Sequence, residues 1–177
     1  MGRTRESGPG TRTEIVLAGV GGQGLVYMGR LLGRAAVEQD RHAVQTQSYG
    51  VASRGGFTKS EVIISGTPIA AFTVERPGAV LALTEEAHRR YSGSLPRDAV
   101  LVYDADAVSS GLAGGEVGLP LTSTARRLGL MRSYNVMALG AFVVIADILP
   151  PAAVRKLLTG KNLEAFDAGV SLAPGKE

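Results

Sequence analysis

The sequence contains no cysteine, which excludes disulfides, zinc ribbons and any iron–sulfur cluster ligated by this chain. Redox work would therefore need a partner. The same absence suits the cytoplasm, where the chain is expected. Tryptophan is also absent and aromatic residues make up 5% of the chain, so the core must be aliphatic. No long hydrophobic run occurs: the longest, Val136 to Ala146, stops at Asp147 and is short of the roughly 20 residues needed to span a bilayer. The opening residues lack the apolar core of a signal peptide, and Glu6 stands where a myristoylation signal wants Ser or Thr. Nor do Lys and Arg cluster on one element, as a nucleic-acid surface requires. Much of the formal charge of +3 comes from Arg3, Arg5 and Arg12, opposed only by Glu6 before Glu14. Neither membrane nor nucleic acid is an expected partner.

The 177 residues are 45% apolar and 20% charged and include 24 glycines, the profile of one soluble α/β domain with many turns. Residues 1–13, rich in Gly, Arg, Thr and Ser without apolar period, read as a flexible leader. Residues 14–177 are expected to form the single domain. Ile15 to Ala18 form a continuous apolar run, the mark of a strand covered on both faces. After a glycine cluster, Val26, Met28, Leu31, Leu32, Ala35 and Ala36 recur at helical spacing. Further strands are expected at Ala43–Gln47, Glu61–Ser65, Ala79–Leu83 and Ala99–Tyr103, with a helix beginning near Thr84. The short links around Gly66 to Pro68 leave no room for crossover helices, so some strand pairs there should be antiparallel. The predicted architecture is a three-layer α/β domain, Rossmann-like, with a mixed, mostly parallel sheet.

Towards the C-terminus, Gly111 to Gly118 with Pro120 reads as a surface loop, and Asn135 as the N-cap of an apolar helix through Leu149. Pro150 and Pro151 can start a helix at Ala152 that Gly160 ends. The Val136–Leu149 helix carries more apolar surface than one layer should hide, which predicts association with other chains.

Gly19, Val20, Gly21, Gly22, Gln23 and Gly24 spell GxGxxG between a strand and a helix. The helix N-terminus there offers unpaired N–H groups and partial positive charge to a phosphate. A plainer reading is that Gly19, Gly21 and Gly24 only let helix and strand pack closely. A nicotinamide cofactor would also want an acidic residue at the end of the second strand, where Gln45 and Gln47 stand instead. Next comes Gln47, Ser48, Tyr49, Gly50, Val51, Ala52, Ser53, Arg54, Gly55 and Gly56, which a doubly wound sheet would bring beside the first glycine turn. Arg54 could pair with phosphate or carboxylate through its planar fork, or meet a partner subunit. Tyr49 could stack on a base or anchor an interface. His42 and His88 sit in no nucleophile or metal motif, and His88 reads as a solvated helix position. Asp104 and Asp106, at a strand end, suit turn amides better than a metal. No catalytic residue and no metal site are expected.

The order of these motifs resembles the gamma subunits, or fused gamma domains, of the 2-oxoacid:ferredoxin oxidoreductases. The resemblance is carried by GVGGQG at Gly19 to Gly24, QSYG at Gln47 to Gly50, SRGG at Ser53 to Gly56 and SEVIIS at Ser60 to Ser65. Asn135 to Gly140 look like the family's NxxALG helix, and Asn162 to Gly169 resemble its terminal helix. Val51 and Ala52 depart from it, standing where Pro and Glu are common, and Ser109 to Gly118 match no family motif. The resemblance implies oxidative decarboxylation of a 2-oxoacid to an acyl-coenzyme A. Thiamine diphosphate and iron–sulfur clusters would sit on partner subunits only, namely thiamine-binding alpha/beta-type chains and a ferredoxin-like chain, with ferredoxin as acceptor. Coenzyme A would bind this chain through Gly19, Gly21, Gly22, Gln23, Gly24, Ser48, Tyr49, Ser53, Arg54, Gly55, Gly56 and Asn135. A stand-alone nucleotide- or CoA-binding protein without redox activity, and a purely structural assembly subunit, are the alternatives.

Overall fold

The apolar run beginning at Ile15 becomes the middle of a six-stranded sheet. The structure, a computed structural model, describes residues 12–49, 56–109 and 116–174. Its strands are β1 (Arg12–Val20), β2 (His42–Tyr49), β3 (Phe57–Ser65), β4 (Ala79–Ala82), β5 (Val100–Asp104) and β6 (Glu116–Leu119), in the order β2-β3-β1-β4-β5-β6. β1, β4, β5 and β6 run parallel, whereas β3 is antiparallel to both β1 and β2. The sheet is thus mixed and mostly parallel. Antiparallel pairing arises because no helix separates β2 from β3 among the described residues, and Gly66 to Gly78 carry none either. β1 begins at Arg12, paired with Ser65, two residues ahead of the expected boundary.

Alternation along β1 sorts its side chains into two cores. Ile15 and Leu17 join Val62, Ile64 and Leu81 against α1 (Leu25–Val37), α4 (Tyr134–Ala146) and α6 (Gly160–Leu172). Val16 and Ala18 join Val80, Leu101 and Tyr103 beneath α2 (Glu85–Tyr91). α3 (Leu121–Arg127) and α5 (Pro151–Arg155) complete the first layer. Three layers result: helices, sheet, and α2 with the irregular strap of residues 66–78. Glu14 holds that strap, accepting the amides of Glu75 and Arg76 at 2.8 Å each, while Arg12 donates to the carbonyls of Ala71 and Thr73. Burial opposes ionisation of Glu14, but these amides and the Arg12 guanidinium outweigh it and keep its carboxyl below the usual range. Among the described residues no helix is long and apolar enough to cross a membrane.

Three expectations from sequence need correction. The apolar α4 does not leave surface for other chains, because it lies between the sheet layer and α6, with Val136 to Val143 buried all round. A helix apolar on every side is stable when it is covered on every side. Residues 116–119 of the expected surface loop form β6, since Val117 and Leu119 find parallel partners in Val102 and Asp104; residues 110–115 lie outside the described residues. Finally, α5 begins at Pro151 and stops at Arg155, and Gly160, with φ 56°, opens α6 instead of ending α5.

Candidate functional site

At the carboxyl end of β1 the chain turns through Gly21 to Gly24 and enters α1 at Leu25. Gln23 folds back under the turn: its Oε1 accepts the Val20 amide at 2.8 Å and its Nε2 donates to the Leu83 carbonyl. The glycines then separate by role. A Cβ at Gly19 would overlap Gln23 Oε1, and one at Gly24, whose φ is 74°, would overlap the side-chain amide of Asn135. These two serve packing, as the plainer reading holds. Gly22 has φ 90°, which a side chain tolerates poorly. Gly21 differs from all three, because its φ is not positive and no atom of the described residues lies within 4 Å of where its Cβ would be. Among the described residues nothing requires glycine there. Directly beyond, the N-cap Gly24 offers no side chain to the first turn of α1, and no acidic residue stands in that turn. Among the described residues no acidic side chain in that turn offsets its N–H groups and partial positive charge.

The register β1–β3 pairs Val20 with Phe57, and β2–β3 pairs Tyr49 with Thr58. The described ends of β2 and β3, Tyr49 and Phe57, therefore lie at the same edge of the sheet as Val20, with β3 between β2 and β1. Ser48 is exposed on β2, and the Gly56 carbonyl accepts the Thr58 hydroxyl at 3.3 Å. Gly50, Val51, Ala52, Ser53, Arg54 and Gly55 lie outside the described residues. Gln45 does not stand at a ribose site: β3 intervenes between its strand and β1, and its Nε2 donates to the Val26 carbonyl at 3.0 Å and to Ser60 Oγ at 2.8 Å. This bond ties α1 to the sheet, and Gly29 leaves the room for it.

Asn135 is not the cap of α4. It is the helix's second residue, and the cap position belongs to Ser133, which makes no side-chain capping bond. A short 3-10 turn, Met131–Ser133, precedes α4 and displaces Asn135 inward, beneath Gly24. Ser133 Oγ instead donates to Asn162 Oδ1 at 2.7 Å, and Asn162 Nδ2 donates to Tyr27 OH at 3.4 Å. This chain links the first turn of α1 to α6. Sequence reading did not single out Tyr27 or Ser133, since their contact passes through a residue far along the chain.

Asp104 is fully buried at the end of β5. Its Oδ1 accepts the amides of Asp106, Leu121 and Thr122, and its Oδ2 accepts the hydroxyls of Thr122 and Tyr134. Asp106 accepts the Ser123 amide at 2.6 Å, so both carboxylates serve backbone amides around α3. His88 departs from its expected solvated place: it is 1% exposed, its Nε2 lies 2.9 Å from Glu116 Oε2, and its ring tilts against Tyr103. Helical spacing could not reveal this partner, which lies on a strand well downstream.

Burial pushes the Tyr91 phenol up to about 12, with Glu61 adding to it, and burial followed by the bond to Asp104 pushes Tyr134 well above the ordinary phenol value. Raised folded values mean that the stabilisation is complete below pH 10 and is lost as the pH climbs from there. For Tyr91 the shift from 10.0 to about 12 corresponds, after allowance for solvent screening, to about 1–2 kcal/mol. Urea unfolding at pH 9 and 11.5 should show that loss, and Tyr91→Phe should flatten the decline. A parent stability unchanged between the two pH values would contradict this account.

Four parallel strands at the core of a mixed sheet and a glycine turn leading from β1 into a helix without a side-chain cap define a Rossmann-like α/β domain. The family model for pyruvate ferredoxin/flavodoxin oxidoreductase matches residues 14–172. The 2-oxoglutarate synthase subunit KorC of Methanocaldococcus jannaschii is 33% identical, over 92% of this chain and 94% of that protein. The gamma subunit of a keto/oxoacid ferredoxin oxidoreductase from Geobacter sulfurreducens is 34% identical, with a TM-score of 0.78 over 92% of this chain and 96% of that one. The chain belongs to the pyruvate ferredoxin/flavodoxin oxidoreductase family, as a gamma-type subunit. The fold is also shared by 2-oxoglutarate:ferredoxin oxidoreductase from Magnetococcus marinus, solved with 2-oxoglutarate, coenzyme A and succinyl-CoA (TM-score 0.77, 23% identity, 31% of that chain).

Proposed function

We propose that this gamma-type subunit holds coenzyme A at the carboxyl edge of its sheet during oxidative decarboxylation of a 2-oxoacid. In that reaction the carboxylate leaves as carbon dioxide, the acyl group passes to the coenzyme A thiol, and the electron pair goes to ferredoxin. Thiamine diphosphate and the iron–sulfur clusters reside on partner chains, thiamine-binding alpha/beta-type subunits and a ferredoxin-like subunit, in a cytoplasmic complex. The division of labour agrees with a chain that has no cysteine to ligate iron. The task left to this chain is to bind and orient.

The observation that carries the reading is Gly21. Among the described residues, space is kept open over a residue that neither packing nor backbone requires to be glycine, next to a helix whose first turn holds no acidic residue. A phosphate approaching there meets outward N–H groups at close range. Gly22 and Gly24 give the turn its left-handed bends, and Gln23, Gly19 and Asn135 brace it from below. On sequence grounds Arg54 supplies the charge, and Ser48, Tyr49, Ser53, Gly55 and Gly56 complete the proposed ligand set.

Gly21→Val tests this directly, because the side chain meets open space at ordinary φ and the fold should keep its melting temperature. Isothermal titration of the assembled complex with coenzyme A should show affinity reduced about tenfold or more. Arg54→Ala should weaken binding by about ten- to a hundredfold, the worth of a charge-assisted hydrogen bond. Parent-like affinity in Gly21→Val would place the site elsewhere.

A further inference from the structure

We propose that β2 is a docking edge, to which an extended acidic segment of a partner subunit adds as one more strand of the sheet. The inference is independent of the coenzyme A reading. It begins from the difference between the two ends of the sheet. β6 is a short edge of four residues, Glu116–Leu119, opened by a buried carboxylate and interrupted by Gly118. Such features discourage further pairing. β2 has none of them: its eight residues, His42–Tyr49, include no proline, no Lys or Arg and no carboxylate. They pair with β3 without a bulge from His42↔Ser65 to Tyr49↔Thr58. Among the described residues no strand lies beyond β2. A long uncharged edge left open to water is an aggregation hazard unless something covers it.

What would cover it is indicated by the neighbouring helix. Between α1 and β2 runs a groove of about 440 Å³ with Gly29, Gly33 and Ala43 along it, lined by two cations, Arg30 and Arg34, against one carboxylate, Glu38, past the end of α1. A Cβ at Gly33 would come no nearer than 3.8 Å to Ala43, so the groove is not closed by packing. Arg30 and Arg34 are both exposed, and neither has a hydrogen-bonding or acidic partner among the described residues. At its far end Val37 is 60% exposed. A strand added to β2 would point alternate side chains toward α1. Small apolar ones would enter the groove, and carboxylates would meet Arg30 and Arg34.

The same arginines argue against a second copy of this chain as the occupant. Gly29 stands over Gln45, near the middle of β2. Two copies paired antiparallel along the whole of β2 would therefore bring Arg30 of one against Arg30 of the other. Like charges there would oppose association. A separate acidic chain carries no such penalty, and the relative KorC is itself named as a subunit of a synthase.

The experiment compares the chain alone with the chain in the complex that it forms with its co-expressed partner subunits. In hydrogen–deuterium exchange, the β2 amides that point away from β3 should exchange at least tenfold more slowly in the complex. The double variant Arg30→Glu/Arg34→Glu, with both sites on the surface, should keep the parent melting temperature while its assembly weakens at least tenfold. Equal exchange of β2 in the two states would overturn the proposal, as would parent-like assembly of the double variant. A chain that sediments alone as a dimer with β2 already protected would overturn it too, in favour of a second copy. In all these cases coenzyme A titration of the Gly21→Val variant remains a separate test.

Discussion

Replacing Gly169 by valine should abolish folding, and Gly169→Ala should lower the melting temperature by about 2–12 °C. The reason lies in the crossing of α4 and α6. A Cβ at Gly169 would fall on the Met137 carbonyl and come within 3.0 Å of the Ala141 amide nitrogen. Reciprocally, a Cβ at Gly140 would fall on the Phe166 carbonyl, with the Val170 amide at 3.1 Å. Backbone meets backbone in both directions, so no flexible side chain can swing away. A methyl group must push the helices apart and loosen the packing around Phe142 and Phe166, both fully buried. Overpacking of this kind costs about 1–3 kcal/mol and occasionally more, and the melting temperature of a chain this size falls by about 2–4 °C for each kcal/mol. Valine adds two further carbons at the same point, against a total stability of about 5–15 kcal/mol. Gly140→Ala should match Gly169→Ala, and the double variant should lose less than the sum, because helices already separated accommodate the second methyl. Thermal and urea denaturation of the three alanine variants decide the matter. A Gly169→Ala variant that melts with the parent would show that the crossing is looser than described.

This crossing shows where sequence reading stops. The apolar run of α4 announced a buried helix, but composition does not name the surface that buries it. Association with other chains was therefore expected where α6 already lies. Gly140 stood within the NxxALG segment, yet its purpose depends on Gly169, and no local period links them. Local signals served well where the physics is local. The strand entering GxGxxG, a helix beginning near Thr84, which accepts the Ala87 amide at 3.2 Å, and the presence of antiparallel pairs in a mixed sheet were all legible. Asn135 illustrates the opposite case, since a residue type that favours caps was drawn inward by the preceding 3-10 turn and by the space under Gly24. β6 was hidden because a strand of four residues gains its identity from β5 and not from its own alternation. His88 and Glu116 were hidden for the same reason, each being an unremarkable polar residue until the other is beside it.

Asp104→Ala should cost about 3–5 kcal/mol, because several donors lose their shared acceptor at once and each one left unsatisfied costs about 1–3 kcal/mol. α3 spans only Leu121–Arg127, and its cap residue, Pro120, contributes no side-chain bond. The sheet supplies the cap instead, through Asp104 Oδ1 at 3.2 Å from the Leu121 amide and 3.3 Å from that of Thr122. Oδ2 holds the first residue of α4 through the Tyr134 hydroxyl at 2.7 Å. Alanine would leave these donors without their acceptor. Asp104→Asn keeps the shape and one acceptor oxygen, but its amide would confront hydroxyl and amide donors, so a smaller loss of about 2 kcal/mol is expected. Tyr134→Phe removes a single bond and should cost about 1 kcal/mol. Urea denaturation should rank the variants in that order, and Asp104→Asn as stable as the parent would refute the network. Tyr134 is followed by Asn135, which fills the space beneath Gly24. Loosening the start of α4 should therefore let the glycine turn relax. In Asp104→Asn, studied well below its melting temperature, coenzyme A should dissociate more readily than from the parent complex. Tyr91→Phe, on the opposite side of the sheet, should leave that affinity unchanged.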